Sequence, residues 1–422
     1  MRVALRVFLP FALGYLLSYL LRVINAVAGE PLARDLELSA GELGLLTSLF
    51  YAGFGIAQLP LGVLMDRFGP RRVEAATLVL LAIGAGMFAV ASSFLDLAVG
   101  RFLMGVGASM CLMAPLTAYR RWFEARQLPF VNGVHLAFGA LGGAIGGGPT
   151  DWLIGIFGWQ AVFAMLAVIV LVMSAVIFLV VPAEREPTGR PRLLGLSREI
   201  GAIATSRAFW KVMPLSAGFQ AAMLSIPTLW TGPWLRQVAG LPSQEAANWL
   251  SVYALSLIVG FVGTGWIMHV GKSVAFAERV VVWSSLAFVG VQLLLIVMPP
   301  EAGLLIWIPY NILGAGSALT YAILVTYFAP QMAGRVNTTL NFAVFLVAFA
   351  AQWLFGVLLD QFPDGAGGYL PEGFQIGFVL LVAVQVVSFL PWIAIRAERC
   401  EVGDSPSGPP PRGSAASDRT PA

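Results

Sequence analysis

Gly62-Val63-Leu64-Met65-Asp66-Arg67-Phe68-Gly69-Pro70-Arg71-Arg72 is a charged turn set between two long apolar runs, 43–65 and 73–93. A link this short makes the two flanking helices antiparallel neighbours. Its three arginines hold it on the cytoplasmic face of a bilayer, the side on which Lys and Arg accumulate. Working outward, runs of the roughly 20 apolar residues needed to cross a ~30 Å hydrocarbon core recur along the chain. Twelve are read: 7–29, 43–65, 73–93, 97–118, 128–150, 160–181, 212–235, 247–268, 279–298, 303–328, 336–359 and 375–395. The expected fold class is an all-α membrane protein.

Composition points the same way. Hydrophobic residues make up 58% of the chain and charged ones 11%, with a mean hydropathy of +0.83. Soluble domains carry about 25% charge. With twelve spans and both termini inside, every Lys and Arg except Arg22, Arg34, Arg101 and Arg236 falls on the cytoplasmic side, while the acids divide evenly. Such an asymmetry follows a Lys/Arg rule and not a net-charge rule. The net charge of +3 therefore has a topological origin and implies no nucleic-acid partner. Arg2, Arg6, an apolar run and then Ala26-Val27-Ala28-Gly29 have the outline of a secretory signal. The length of the run, Arg22 within it and the charge asymmetry favour a retained first span.

Residues 1–181 form a first six-helix bundle, 182–211 a basic cytoplasmic connector, 212–399 a second bundle and 400–422 a Ser/Pro/Gly-rich tail expected to be disordered. Leu193–Thr205 of the connector suits a helix on an anionic membrane surface. The cysteines, Cys111 inside the fourth span and Cys400 in the tail, suggest no disulfide. The halves are weak repeats. Phe130-Val131-Asn132 opens the fifth span and Arg335-Val336-Asn337 the eleventh, and Gly265–Lys272 is a decayed counterpart of Gly62–Arg72. Paired halves of this kind place a substrate site at their interface near the midplane.

The Gly62–Arg72 turn resembles the signature loop of the major facilitator superfamily, G-x-x-x-D-R-x-G-x-R-R, and matches it at every fixed position. Arg101-Phe102-Leu103-Met104-Gly105-Val106-Gly107 resembles the fourth-helix pattern R-x-x-x-G-x-G of the same family. Gly139–Pro149 gives the fifth span a glycine-rich face, and Phe157-Gly158-Trp159 is a frequent entry to the sixth. The resemblance implies two pseudo-symmetric six-helix bundles that rock about a central site, in a multi-pass protein of a bacterial inner membrane. It assigns gating roles to Gly62, Asp66, Arg67, Gly69, Arg71 and Arg72. Asp66 would latch onto the N-terminus of a neighbouring helix.

Substrate chemistry rests on the few polar groups inside spans, where charge is costly by ~2.5–3.5 kcal/mol on insertion scales. Asp and Glu lie near span ends, Glu74 among them, leaving Arg22, Arg101 and His135 within the spans. A neutral or positive cavity favours an anionic substrate. Tyr15, Ser18, Tyr19, Arg22 and Asn25 share a roughly 120° sector of the first helix. That stripe ends in a guanidinium suited to bidentate contact with a carboxylate or phosphate. The alternative is an Arg22 that snorkels to the headgroups or pairs with Glu30. Tyr19–Asn25 is similar to the first helix of the anion:cation symporters and organophosphate antiporters, where an arginine followed by an asparagine contributes to anion binding. The second arginine of organophosphate antiporters has no counterpart between Lys211 and Arg236.

Arg101 and His135 are candidates for proton coupling, against an Arg101 paired with Asp96 and a His135 satisfied by packing. His135, Gln220, Asn311 and Asn341 are also candidates for substrate contact. No cofactor or metal cluster is indicated, no enzyme chemistry is encoded, and a monomer is expected. The leading expectation is proton-coupled uptake of a small organic anion, a carboxylate or sugar acid. The alternative is proton-coupled efflux of amphipathic or neutral compounds.

Overall fold

A computed structural model describes residues 2–124, 126–182, 196–271, 273–365 and 367–396. Among these, eleven helices are long and apolar enough to cross a membrane, and a twelfth, Phe130–Ile145, is shorter. The spans are α1 (Arg2–Val23, resuming as Asn25–Asp35), α2 (Ala40–Phe68), α3 (Pro70–Ala89) and α4 (Phe94–Ala108, resuming as Met113–Trp122). Then come α5 (Leu128–Ile145) and a helix recorded as Gly148–Val180. The second half contains α7 (Arg207–Ser225, continued to Val238), α8 (Ser243–Val270), α9 (Val274–Val297), α10 (Pro300–Gly314, continued to Val325), α11 (Ala333–Leu359) and α12 (Pro371–Ala394).

Local sequence sets the ends. Ser39 and Ser93 open α2 and α4 with reciprocal capping boxes to Glu42 and Asp96. Gly69, at φ 78° and ψ 159°, makes the whole α2–α3 reversal, and Pro70 then starts α3. Only glycine enters that region without steric cost, which accounts for the glycine of the turn. Gly158 repeats the same angles, φ 77° and ψ 159°, inside Gly148–Val180. That helix is therefore two: 148–157 completes the fifth span, and 159–180 is α6. The expected loop before α6 shrinks to this one residue. Trp159 beyond it donates its indole N–H to Asp35 at 2.8 Å.

Five spans are interrupted, the fifth between Ile145 and Gly148, and the other four correspond between the halves. Helix α1 breaks at Ile24, and its counterpart α7 widens into π-helical turns over Ile226–Trp230, where Pro227 has no N–H to give. Helix α4 breaks over 109–112, and α10 tightens to a 3-10 turn over Ala315–Ala318. Backbone freed inside a membrane must find partners in the protein. It is these breaks that give the interior its polar character.

The halves meet through α2 against α11 and α5 against α8. Glycines let them close: a Cβ at Gly356 would fall on the Ala40 carbonyl. At the end remote from Gly69, Asp360 of α11 accepts from the amides of Ala40 (2.7 Å) and Gly41 (2.8 Å), capping α2 across the interface. Glu30 pairs there with Arg236 at 2.7 Å. Near the Gly69 end a vestibule of about 440 Å³ opens between the halves. The connector contributes Leu196–Ala204, whose Glu199 pairs with Arg335 of α11. The rest of the connector from 183 to 195, and the tail with Cys400, lie outside the described residues.

Candidate functional site

Between the halves, where α1 and α7 are broken, lies a cavity of about 60 Å³ lined by α1, α5, α7, α8 and α10. Its polar groups come from Tyr19, Arg22, Thr228, Thr231, Tyr253 and Asn311. That volume admits a few water molecules, so a larger substrate requires the walls to part. Phe54 and Phe345 stack across the interface with centroids 4.3 Å apart. Along α2, Phe54 lies between Tyr51, which meets Thr228, and Gln58, which lines the vestibule. The aromatic pair is therefore the floor separating cavity from vestibule.

Arg22 dominates this cavity. Its side chain is 8% exposed, and the guanidinium lies 5.0 Å from the Tyr19 and Phe54 ring centroids and 5.6 Å from that of Phe50. Aromatic faces hold a cation without neutralising it. Among the described residues no carboxylate reaches Arg22, and its Nε has no hydrogen-bond partner. Glu30, the expected alternative partner, is taken by Arg236. The cavity thus presents an unneutralised cation to whatever occupies it.

The other predicted residues divide by what they mend. Arg101 is fully buried, and its two terminal nitrogens donate to the carbonyls of Leu21 (2.8 Å) and Arg22 (2.9 Å), just before the break in α1. It caps the negative end of that helix segment and fixes the backbone that carries Arg22. Asp96 instead serves Ser92 and Ser93, so the expected Arg101–Asp96 pair does not form. His135 is fully buried too, with Nε2 at 3.3 Å from the Cys111 carbonyl and Nδ1 at 3.0 Å from the Tyr119 hydroxyl. The carbonyl can only accept, so Nε2 carries the proton and Nδ1 accepts from Tyr119. His135 thereby satisfies backbone freed by the break in α4, beside Gln58, which donates to the Ser109 carbonyl at 3.1 Å. It does not line the cavity.

The polar stripe expected along α1 is divided by the break at Ile24. Tyr19 and Arg22 face the cavity, while Tyr15 stacks on His135 at 4.7 Å and Asn25 donates to Thr47 at 2.9 Å. Asn311 lines the cavity and donates to the Trp307 carbonyl at 3.0 Å. Gln220 donates to Ser216 (2.9 Å), and Asn341 accepts from Tyr321 (2.7 Å), both away from the cavity. Of the turn residues, Gly62 lines the vestibule, and Arg67 and Arg72 are exposed. Arg71 donates to the Val181 carbonyl at the end of α6 (3.1 Å). The Asp66 side chain, and with it the expected latch, lies outside the described residues.

Three features were not anticipated. Thr228 and Tyr51 join the two halves at the cavity wall: the Tyr51 hydroxyl is 2.7 Å from the Leu224 carbonyl and 2.8 Å from Thr228. A proline at 227 frees the carbonyl four residues back, that of Met223, so the bond to Leu224 left no signal of its own in the sequence. Ser251 of α8 spans the break in α5, donating to the Ala144 carbonyl (2.7 Å) and accepting from the Gly148 amide (2.9 Å). Finally, Glu74, read as a span-end carboxylate, is fully buried. It keeps its place near the span end, one turn past Pro70, but α3 turns that face inward.

Comparison with known proteins follows the same lines. A hexuronate transporter of Bacillus subtilis (strain 168) is 24% identical over 413 residues, covering 92% of this chain and 94% of its own length. A probable L-galactonate transporter of Escherichia coli (strain K12) is 28% identical over 153 residues, covering 36% of this chain and 34% of its own length. Among solved structures, the inward-facing, occupied form of a bacterial homolog of the human lysosomal transporter Spinster has a TM-score of 0.72 at 17% identity, covering 93% of this chain and 97% of its own. A D-xylose-proton symporter has a TM-score of 0.71 at 14% identity, covering 94% and 98%. The Major Facilitator Superfamily profile matches residues 11–352, and with the turn, the twelve spans and the paired breaks already described, the chain belongs to that superfamily of transporters.

Proposed function

We propose that this transporter carries a small organic anion, a carboxylate of the sugar-acid kind, across the bacterial inner membrane by alternating access, as a monomer driven by protons. The observation that carries this reading is Arg22, a buried guanidinium between the halves, framed by three aromatic rings and left without a carboxylate partner among the described residues. A substrate carboxylate supplies the missing charge, in two parallel hydrogen bonds. The relatives named above are designated transporters of hexuronate and L-galactonate, which are such anions. A lipophilic cation finds no carboxylate among the residues that line the cavity.

The Lys and Arg distribution supports a cytoplasmic position for both termini and the vestibule. The conformation is then closed outside by Asp360 on α2 and Glu30 on Arg236, and leads inside through the vestibule below the Phe54–Phe345 floor. Bringing a monovalent anion into a negative-inside cell costs ~2.3 kcal/mol per 100 mV, so accumulation calls for a cotransported cation.

Uptake of labelled hexuronate into proteoliposomes tests the reading. Losing a charged hydrogen-bond partner worth about 3 kcal/mol lowers transport about 100-fold in Arg22→Ala. Arg22→Lys, which keeps the charge without the fork, retains an intermediate rate. Undiminished uptake in Arg22→Ala, or ligand stabilisation of the wild type by neutral amphiphiles alone, returns the function to efflux.

A further inference from the structure

Among the described residues, Glu74 is the fully buried carboxyl, and the anion site leaves it unused. It is 0% exposed, and among the described residues neither carboxyl oxygen has a hydrogen-bond partner. Thr77 donates to its backbone carbonyl and not to its carboxyl. An isolated carboxylate in such surroundings is far costlier than the neutral acid.

We propose that Glu74 is the proton-binding site that couples transport to the proton gradient, exchanging its proton with water when the packing of α1 against α3 opens. The inference rests on the symport reading above.

Geometry ties the site to Arg22. A Cβ at Gly14 of α1 would stand 3.0 Å from Glu74 Oε1 and 3.3 Å from Ile177 of α6, so the carboxyl is sealed by helix backbone with no room to spare. From α4, Cys111 and Tyr119 lie within electrostatic range of Glu74, and behind Tyr119 stands His135 of α5, already bonded at both ring nitrogens. Arg71, on the same helix, is turned to the Val181 carbonyl. Each of these neighbours is therefore neutral or occupied.

Ionised, Glu74 must draw in water, which requires α1 to move at Gly14. Arg22 lies eight residues farther along the same helix segment, about 12 Å at 1.5 Å per residue. Arg101 clamps that segment's last carbonyls, so displacement at Gly14 is transmitted to the anion site. Binding of the proton restores the sealed packing, and its release to water on the other side completes the cycle.

The test compares full-length wild type, Glu74→Gln and Glu74→Asp in proteoliposomes, with hexuronate as the probe anion. In wild type, one unit of inward pH gradient raises accumulation about tenfold per cotransported proton. Glu74→Gln is expected to lose this dependence and yet exchange labelled for unlabelled anion at equal pH. Glu74→Asp is expected to keep it with a displaced pH profile. Infrared difference spectroscopy gives a substrate-free arm, in which wild type shows a protonated-carboxyl band that Glu74→Gln lacks. Absence of exchange in wild type overturns the anion reading, and the infrared arm still decides the proton site. Gradient-driven accumulation in Glu74→Gln, loss of its exchange, or an unchanged carboxyl band overturns the proposal.

Discussion

Arg22 and Arg101 carry the same charge within one turn of each other's backbone contacts, yet their surroundings give them different work. Arg101 spends both terminal nitrogens on α1 carbonyls, whereas Arg22 has only aromatic faces among the described residues. Substituting them should therefore read out differently. Arg101→Lys keeps the charge and loses the fork that spans two carbonyls. We expect a lower thermal midpoint with or without anion, since a buried acceptor left unpaired costs about 1–3 kcal/mol. Arg22→Ala is expected to leave the midpoint of the empty protein near that of wild type and to abolish the stabilisation by added hexuronate. Equal losses in both assays for both variants would contradict this division. His135→Ala belongs with Arg101, because it strips the Cys111 carbonyl of its donor.

At the scale of elements, the broken helices are the working parts. Each break exposes backbone groups, and four are answered by a side chain from another helix: Arg101 for α1, Gln58 and His135 for α4, Ser251 for α5, Tyr51 for α7. Two of these donors, Ser251 and Tyr51, reach across the interface between halves. Ser251→Ala removes both bonds at the α5 break, and a shift of the conformational equilibrium toward the state open at the Asp360 end should follow. Labelling of a cysteine introduced at Thr231, faster in Ser251→Ala than in the parent, is the expected result. Close helix packing sets a second demand. A Cβ at Gly105 would meet the Phe50 carbonyl and one at Gly107 the Leu81 backbone. Gly105→Val should separate α4 from α2 and lower folded yield, by the 1–3 kcal/mol typical of overpacking or more.

For the whole molecule, the two ends of the bundle differ: one is closed and the other opens as a vestibule. At one end Asp360 caps α2, with a carboxylate at a helix N-terminus favoured by the dipole and two amides. The other end holds the vestibule, and there Arg71 is bound within its own half. Asp360→Asn keeps the shape and removes the charge, and should populate the state open at that end. Distance measurements between spin labels at Glu37 and Asp364 would report it as a longer separation, with no change expected in Asp360→Glu if the longer carboxylate reseats. Sidedness is checked by impermeant thiol labelling in whole cells: a cysteine at Glu37 should react from outside and one at Arg126 only after permeabilisation.

The number of spans, the Gly69 reversal and the weak repeat of the halves were all legible in the sequence. Hydrophobic length and the distribution of Lys and Arg are properties of the chain that the bilayer reads directly. The burial of Arg22 was legible for the same reason, from its depth within the first span. What the chain alone did not reveal is which way polar side chains point once helices break. The break at Ile24 turned Asn25 toward Thr47, and the break in α4 drew His135 to a carbonyl. The rotation of α3 buried Glu74, though its place in the sequence put it at a helix end. Helix rotation and the repair of freed backbone depend on neighbours far away in sequence, so only the tertiary structure decided them.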